Sequence, residues 1–317
     1  MKNQMRVLIG YDGVRSTKNL VQDLKRAGLP KNTKALVLTV VDNFMPPEGN
    51  YSDPSLSESS VTYIKSILEP AKTRIRKDLA RAKKTAERAA KTIRSSFREW
   101  TVQAEACVDS PTWAIVKKED TWKPDLIVMG SHGGTPMARF FLGSVSRGVL
   151  IHSKSSVRIV RHHRRAKTSP FRIILGMDSS ADSQKALHMV AERVWPKRTH
   201  VRLVTAFDQK MSSTIASHYL VSHAKEGVPY PPTEKARMRQ VVEPFANKLK
   251  NSGLEVSNVI KAGTPWKILV KEAETWKADC IFVGARGLGA IDRFLLGSVS
   301  NAVVSRAHCS VEVVRGK

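Results

Sequence analysis

The sequence of 317 residues has few of the features on which disulfide-rich or membrane-bound proteins depend. Its three cysteines, Cys107, Cys280 and Cys309, are too few and too widely spaced for a disulfide framework or a zinc site, which favours a reducing compartment. The N-terminal segment lacks the apolar stretch of a signal peptide, and no run of about 18 apolar residues occurs. We therefore expect a cytoplasmic protein.

Acidic residues are also scarce. The chain has 28 aspartates and glutamates against 53 lysines and arginines, a formal net charge of +25, while hydrophobic residues make up 41% of it. This composition excludes a disordered chain and predicts folded domains with a cationic surface that attracts anions. At about 150 residues per domain, the length predicts two domains, each large enough for its own core.

Three common catalytic or cofactor motifs are missing from the sequence. No Gly-x4-Gly-Lys-Ser/Thr loop occurs, which excludes the phosphate loop of ordinary NTPases, and no Gly-x-Ser-x-Gly elbow occurs. The segment Gly287-Leu288-Gly289 lacks the third glycine of a dinucleotide-binding fingerprint. Because no pattern supplies an evident general base, we expect any hydrolysis of a nucleotide to be slow.

The chain contains the same pattern twice. Residues 6–12 recur as residues 172–178, 166 positions later, and residues 141–146 recur as residues 295–300, 154 positions later. The chain is therefore a tandem pair of similar units that differ in loop length. A polar, charged segment that ends at Pro170 separates them, as is typical of a linker. We predict a first domain at 1–163, a linker at 164–170 and a second domain at 171–317.

Short runs of valine, isoleucine and leucine alternate with longer amphipathic stretches, which is the pattern of βαβ units. The run at 126–129 is apolar throughout, as expected of a strand covered on both faces of a parallel sheet. We predict an α/β fold with two tandem, doubly wound, parallel five-stranded sheets that bind ligands at the carboxyl ends of their strands. The strands predicted in the first half are 5–10, 35–41, 101–107, 125–130 and 156–160, and the helices are 15–27, 58–98, 112–121 and 144–152.

A glycine cluster follows the fourth predicted strand in each half. In the first half Gly130 and Gly133 are followed, after nine residues, by Gly143, which opens a helix at Ser144 and Val145. Glycines let backbone N–H groups approach a phosphate closely, and a helix N-terminus attracts anionic oxygens. One such cluster is more often a simple turn, but its recurrence at the same spacing favours a phosphate site. The second-half residues are Gly284, Gly287, Gly297, Ser298 and Val299.

With these residues the chain resembles the universal stress protein family, and specifically its ATP-binding branch, whose motif is Gly-x2-Gly-x9-Gly-Ser/Thr. The resemblance covers nearly the whole chain as a tandem pair. It implies an adenine nucleotide α-hydrolase-like fold and a site for ATP in each half, with Mg2+ or Mn2+ accompanying the nucleotide. It also implies that the last strands, 157–160 and 311–314, pair across a pseudo-two-fold axis, so that one chain is equivalent to a dimer. Association into a further homodimer stays open.

The resemblance also assigns individual residues. The aspartate at the end of the first strand, Asp12 or Asp178, would contact the nucleoside, and backbone near the end of the second strand, at Val40 or Ala206, would lie against adenine. The glycine clusters and their Gly-Ser-Val segments would hold the phosphates and the ribose. From the residues alone, capping of the following helix is an equal alternative for the two aspartates.

Two residues inside the glycine clusters can carry positive charge. His132 lies in the first cluster and Arg286 occupies the corresponding position in the second. Because an arginine cannot act as a base, we interpret both residues as cations on the phosphate side of the site rather than as catalytic bases. A solvated loop position is the alternative.

The longest predicted helix carries an excess of positive charge. Residues 72–98 contain eleven basic side chains against the two acidic ones of Asp78 and Glu87. Apolar residues at helical spacing, including Ile75 and Ile93, mark the side of the helix that is buried. A solvated surface is the ordinary explanation of such a run, but the imbalance of sign favours an anionic partner. An acidic protein, the backbone of a nucleic acid and a membrane surface are all candidates.

From these features and the resemblance we predict an ATP-binding regulatory or sensor protein of the stress response. One alternative is an enzyme that hydrolyses ATP slowly, at most a weak ATPase. The other is a scaffold that binds no nucleotide and acts through the basic helix at 72–98.

Overall fold

The computed structural model describes residues 4–13, 17–43, 57–131, 142–161, 170–207, 234–287 and 296–316. Strands and helices alternate in the first half as the sequence predicts. The strands are β1 (Met5–Gly10), β2 (Thr33–Asp42), β3 (Thr101–Asp109), β4 (Leu126–Gly130) and β5 (Ser156–Val160). The helices are α1 (Thr17–Arg26), α2 (Glu58–Ser96), α3 (Pro111–Trp122) and α4 (Ser144–His152). Every predicted strand boundary lies within two residues of the observed one.

The second half repeats this order. Its strands are β6 (Arg172–Gly176), β7 (His200–Phe207), β8 (Glu255–Ala262), β9 (Cys280–Gly284) and β10 (Ser310–Val314). Its described helices are α5 (Ala181–Glu192), α6 (Glu234–Asn251), α7 (Pro265–Thr275) and α8 (Ser298–Arg306). Proline opens both α3 and α7, where its missing N–H breaks no helical hydrogen bond.

The strands form one sheet in the order β3-β2-β1-β4-β5-β10-β9-β6-β7-β8. All neighbouring strands are parallel except β5 and β10, which pair antiparallel at the centre. The two predicted five-stranded parallel sheets are therefore present and are joined into one ten-stranded sheet. Residues of the inner strands are almost completely buried, because helices cover both faces.

The junction between the halves shows the predicted pseudo-two-fold symmetry. The guanidinium of Arg161, just after β5, donates to the carbonyl oxygen of Val304 on α8 (2.5 Å). The matching guanidinium of Arg315, just after β10, donates to the carbonyl oxygen of Leu150 on α4 (2.5 Å). Each half thus caps a helix of the other, and the last strands of the two halves have no free edge.

One pair of charged residues departs from this symmetry. Arg158 on β5 and Glu312 on β10 occupy equivalent positions and lie opposite each other across the junction. Both side chains are fully buried, and Arg158 Nη1 lies 3.0 Å from Glu312 Oε2. Asp23 on α1 binds the other edge of the guanidinium, at 2.6 and 3.1 Å, and Arg193 after α5 pairs with Glu312. The buried charges therefore balance.

The surroundings of Arg158 also determine its protonation. Burial would lower the pKa of the guanidinium, but the negative charges of Asp23 and Glu312 outweigh burial and raise that pKa well above its ordinary value. The arginine is therefore always charged, and its charge is neutralised only by its partners.

Helix α2 is much longer than its second-half counterpart α6, with 39 residues against 18. Close to their C-terminal ends, both helices bury residues at the same spacing against the sheet. These are Ala86, Ala90 and Ile93 in α2, and Val242, Ala246 and Leu249 in α6. The described parts of the two helices therefore correspond at their C-terminal ends.

In the described part of the chain, no helix is both long enough and apolar enough to cross a bilayer.

The buried cysteines give a testable prediction. Burial raises the pKa of Cys280 to about 12 and raises the pKa of Cys309 as well. Burial, followed by the charges of Glu105 and Asp109, also raises the pKa of the half-buried Cys107. A raised pKa leaves little thiolate at pH 8, so every thiol should react with Ellman's reagent more slowly than free cysteine.

We expect Cys107 to react first in the native protein, and Cys280 and Cys309 to react only after guanidinium is added. A rapid native reaction of all three thiols would contradict this burial.

Candidate functional site

A cavity of about 280 Å³ opens at the carboxyl edge of the first-half strands. It lies where Gly10 ends β1 and Gly130 ends β4. In the sheet β1 has β2 on one side and β4 on the other, so the strand order reverses at β1. Ligands of open α/β sheets bind outside the carboxyl ends of the strands at such a reversal.

One side of the cavity is apolar. Leu38 and Val40 of β2, Ile115 of α3 and Met129 of β4 line it. Gly10 lies beside them, and a Cβ at this position would lie 2.5 Å from the sulfur of Met129, so a larger residue would displace that side chain. An apolar surface at strand ends, with backbone polar groups at its rim, suits a planar ring such as a nucleobase.

The opposite side of the cavity is the N-terminus of α4. Gly143 precedes the helix with extended backbone (φ −62°, ψ 153°) and, as a glycine, has no side chain that could cap the first turn. The first N–H groups of a helix have no acceptor within the helix, and together with the helix dipole they attract anions. Ser144 and Val145 lie in this turn and line the cavity.

Two hydrogen bonds hold the start of α4 against the end of β4. The hydroxyl of Ser146 donates to the carbonyl oxygen of Gly130 (2.7 Å), and the N–H of Gly143 donates to the carbonyl oxygen of Ser131 (2.8 Å). The helix N-terminus and the strand end are thus fixed relative to each other.

The turn after β1 carries the acidic group of the site. Asp12 is exposed and lines the cavity. The preceding residue, Tyr11, anchors the turn, because its N–H donates to the carbonyl oxygen of Leu38 (2.9 Å) and its hydroxyl lies 2.8 Å from the hydroxyl of Thr17. The carboxylate is therefore presented on an anchored turn between β1 and α1.

Most of the residues predicted from the first half surround this cavity. Those that line it are Asp12, Val40, Gly130, Gly143, Ser144 and Val145. Gly133, predicted with them, lies outside the described residues, as does His132. The remaining lining residues are Gly10, Tyr11, Asn19, Leu20, Leu38, Pro111, Ile115, Met129, Ser146 and Val160.

The second half repeats the frame of the site. The N–H of Gly297 donates to the carbonyl oxygen of Ala285 (2.8 Å). The hydroxyl of Ser300 donates to the carbonyl oxygen of Gly284 (2.5 Å). Gly297 has the same extended backbone as Gly143 (φ −60°, ψ 149°) and likewise offers no side chain as a cap to the helix that begins at Ser298 and continues with Val299.

The second strand of this half also matches. The N–H of Met177 donates to the carbonyl oxygen of Val204 (3.0 Å), as Tyr11 does to Leu38. Ala206 lies two residues beyond Val204, near the carboxyl end of β7, and is half-buried. It therefore takes the place that Val40 has in the first half.

The second aspartate accepts hydrogen bonds within the protein. Asp178 accepts hydrogen bonds from the N–H (3.0 Å) and the hydroxyl (2.5 Å) of Ser180, the residue that caps α5. A Cβ on Gly287 would lie 2.8 Å from Asp178 Oδ2, so this glycine permits close approach of the two turns. Asp178 thus orients the serine that caps α5, and the capping group itself is the hydroxyl of Ser180.

The arginine of the second cluster also has an acidic partner. Arg286 binds the carboxylate of Asp182 on α5 through Nε (2.8 Å) and Nη2 (3.0 Å). These hydrogen bonds to Asp182 raise the pKa of Arg286. The charge that was interpreted as a phosphate-side cation is therefore already neutralised within the protein.

Several residues that shape the sites were not identified from the sequence. Ser146 and Ser300 fix the helix starts, and the only signal for them is that Gly-Ser-Val-Ser occurs in both halves. The pair of Asp182 with Arg286 joins residues 104 positions apart, for which the sequence gives no signal.

Comparisons with known proteins agree with this architecture. The family model described as the universal stress protein family matches residues 4–161 and 171–315. Curated universal stress proteins of Mycobacterium tuberculosis and Mycobacterium bovis are each 26% identical to this chain over 229 residues, or 69% of this chain and 70% of theirs. The crystal structure of a universal stress protein from Archaeoglobus fulgidus has 21% identity and a TM-score of 0.58, with 98% of this chain and 96% of that chain covered, which shows the likeness of fold. Because the family model matches both halves, the chain belongs to the universal stress protein family.

Proposed function

We propose that the protein binds ATP, together with Mg2+ or Mn2+, in the cavity of its first half and acts as a regulatory or sensor protein. The observation that carries the proposal is the N-terminus of α4, where Gly143 offers no side chain as a cap and which faces an apolar strand edge across a single cavity. One side of the cavity suits a polyphosphate and the other suits a base, and adenine nucleotides have both parts.

Different residues of the first half would bind the phosphates, the ribose and the base of the nucleotide. The backbone N–H groups of Ser144 and Val145 would bind phosphate oxygens, while the carboxylate of Asp12 would accept hydrogen bonds from the ribose. Backbone at Val40 would contact adenine beside the apolar lining. We place Gly130 and Gly133 in the same role as Gly143, as glycines that leave room for the phosphates.

The metal ion would arrive with the nucleotide. Within the described residues, no three His, Cys, Asp or Glu side chains are grouped so that they could hold a metal ion. Magnesium is commonly bound by one or two carboxylates together with substrate phosphates. Because we assign Asp12, the acidic residue of the described lining, to the ribose, the metal ion would be bound by phosphate oxygens and water.

We infer that the second half binds nucleotide more weakly than the first. Its Gly284, Gly287, Gly297, Ser298, Val299 and Ala206 offer the same backbone frame. However, Asp178 is occupied by Ser180, and Arg286 is held by Asp182, so a ligand would have to compete with both contacts. The first half, whose described residues line the cavity of about 280 Å³, is therefore the better site for the nucleotide.

The lining supports binding rather than rapid turnover. Among the described residues that line the cavity, Tyr11 and Asp12 are the ones with titratable side chains. The general base of an enzyme is most often a histidine, and none of these described lining residues is one. A regulatory binding protein accounts for this arrangement better than an ATPase does.

Isothermal titration calorimetry tests the proposal. We expect saturable heat with ATP at about one tight equivalent per chain, stronger binding with Mg2+ or Mn2+ present, and weaker binding of AMP because it lacks two phosphates. Chromatography of the same samples after hours of incubation should recover ATP. An absence of saturable heat at millimolar ATP would contradict the proposal, and steady formation of ADP would favour the slow ATPase.

A further inference from the structure

A row of five basic side chains lies along the solvent side of α2. Lys77, Arg81, Lys84, Arg88 and Lys91 follow one another at spacings of four, three, four and three residues, and all are exposed. We call these five residues the basic ridge. At about 1.5 Å per residue the ridge is roughly 21 Å long, and its spacing places it on a single face of the helix.

The opposite side of the same helix is fixed in the core. Ala86, Ala89, Ala90 and Ile93 are at most 1% exposed and pack with β1 and β2. The ridge is therefore held straight by the fold, and its backbone loses no freedom when a partner binds.

Few acidic side chains of the same helix offset the positive charge of the ridge. Arg81 pairs with Asp78 at 3.3 Å, but that arginine is 80% exposed, so the pair is weak. Glu87, the other acidic residue of 72–98, pairs with Arg94, which lies outside the ridge. Further exposed cations flank the ridge on both sides. They are Arg74, Arg76, Lys83, Arg94 and Arg98.

We propose that the basic ridge binds the phosphate backbone of double-stranded nucleic acid without regard to base sequence. A duplex is a stiff polyanion with one charge per about 1.7 Å of its axis, so a straight row of cations can meet several phosphates together. Lysine and arginine bind phosphates in this way without any contact to base edges. The proposal does not depend on the nucleotide cavity, which lies at the carboxyl edge of the sheet.

Two other polyanionic surfaces fit the ridge less well. A basic amphipathic helix binds a membrane by inserting its apolar face, but the apolar face of α2 is buried in the protein core. Single-stranded nucleic acid is held by aromatic side chains between the cations, and Phe97, the aromatic residue of 72–98, is half-buried and stacks on Trp100. A duplex requires neither insertion nor stacking.

The test compares two variants of the full chain that carry the same net charge. In the ridge variant all five ridge residues are replaced by glutamine, which has a good helix propensity. In the control variant five exposed lysines from elsewhere are replaced by glutamine. They are Lys25, Lys31, Lys197, Lys250 and Lys271. Circular dichroism establishes that both variants are folded.

Binding is measured by fluorescence anisotropy with two 24-base-pair duplexes of unrelated sequence over a series of salt concentrations. We expect the wild-type protein to bind both duplexes equally, with an affinity that falls steeply with salt. The ridge variant should bind about 10- to 100-fold more weakly at about 0.1 M salt, with a log–log salt slope shallower by about four. The control variant should change by less than about threefold.

Equal losses in the two variants would overturn the proposal, because binding would then come from the overall charge of +25. Absence of wild-type binding at low salt would overturn it as well. Ridge-dependent binding to vesicles of phosphatidylserine, or to an acidic peptide, without binding to the duplexes would assign the ridge to a different partner.

Discussion

Replacement of Ser144 by proline is expected to weaken ATP binding by about 10- to 100-fold while the protein stays folded. Proline is well tolerated at the first position of a helix, and Gly143 before it has a ψ of 153°, which proline requires of its predecessor. The substitution removes one N–H that has no acceptor within the helix. A hydrogen bond to a charged phosphate contributes about 1.5–3 kcal/mol, and each 1.4 kcal/mol is a factor of about 10.

Two controls separate the causes of that loss. Ser144→Ala removes the hydroxyl but keeps the N–H, so we expect a smaller effect, of less than about 10-fold. Ser298→Pro makes the same change in the second half, where Gly297 has a ψ of 149°. Because we assign the tighter site to the first half, Ser298→Pro should leave the first equivalent of ATP unchanged in calorimetry. Equal effects of Ser144→Pro and Ser298→Pro would contradict the assignment.

Replacement of Arg158 by methionine is expected to destabilise the protein by about 3–5 kcal/mol. The substitution keeps the volume of the buried side chain but leaves Asp23 and Glu312 without their shared partner. Breaking a buried ion pair is costly because the remaining charge stays out of water without compensation. Guanidinium denaturation followed by tryptophan fluorescence measures the loss as a shift of the midpoint.

The control for this prediction is Arg81→Met, in which an arginine that is 80% exposed is removed. An exposed ion pair contributes about 0–1 kcal/mol, so this variant should unfold close to the wild type. If the two variants unfold at the same guanidinium concentration, the buried ion pairs of Arg158 do not stabilise the fold as we propose.

The charges at the junction also explain why the two halves pair with each other. Two copies of the first half paired through β5 would bring Arg158 against Arg158, and two copies of the second half would bring Glu312 against Glu312. Like charges that face each other at this point would repel, whereas the mixed junction gains the direct ion pair between Arg158 and Glu312. The difference between Arg158 and Glu312 therefore favours the pairing of β5 with β10 over the pairing of either strand with a copy of itself.

The sequence was sufficient for the architecture because the features that determine it are local and occur twice. Apolar runs such as 126–129 identify buried strands, and the glycine spacing identifies the turns at their carboxyl ends. The pairing of β5 with β10 was also expected, although only from the resemblance to the family.

Contacts between residues far apart in the chain could not be predicted from the sequence. A charged residue inside a short apolar strand, such as Arg158 in β5, gives no sign of whether it faces solvent or a buried partner. The same limit applies to Asp182 and Arg286, whose pairing depends on how α5 packs against the end of β9. Periodicity also gives no sign that Ser146, two residues after Ser144, fixes the start of the helix through the carbonyl oxygen of Gly130.

A crystal structure of the protein grown with ATP and Mg2+ tests the central claim most directly. We expect the phosphates to lie at the N–H groups of Ser144 and Val145, the ribose beside Asp12, and adenine between Val40 and Ile115. Nucleotide bound at another place, or no nucleotide density in this cavity at millimolar ATP, would contradict it.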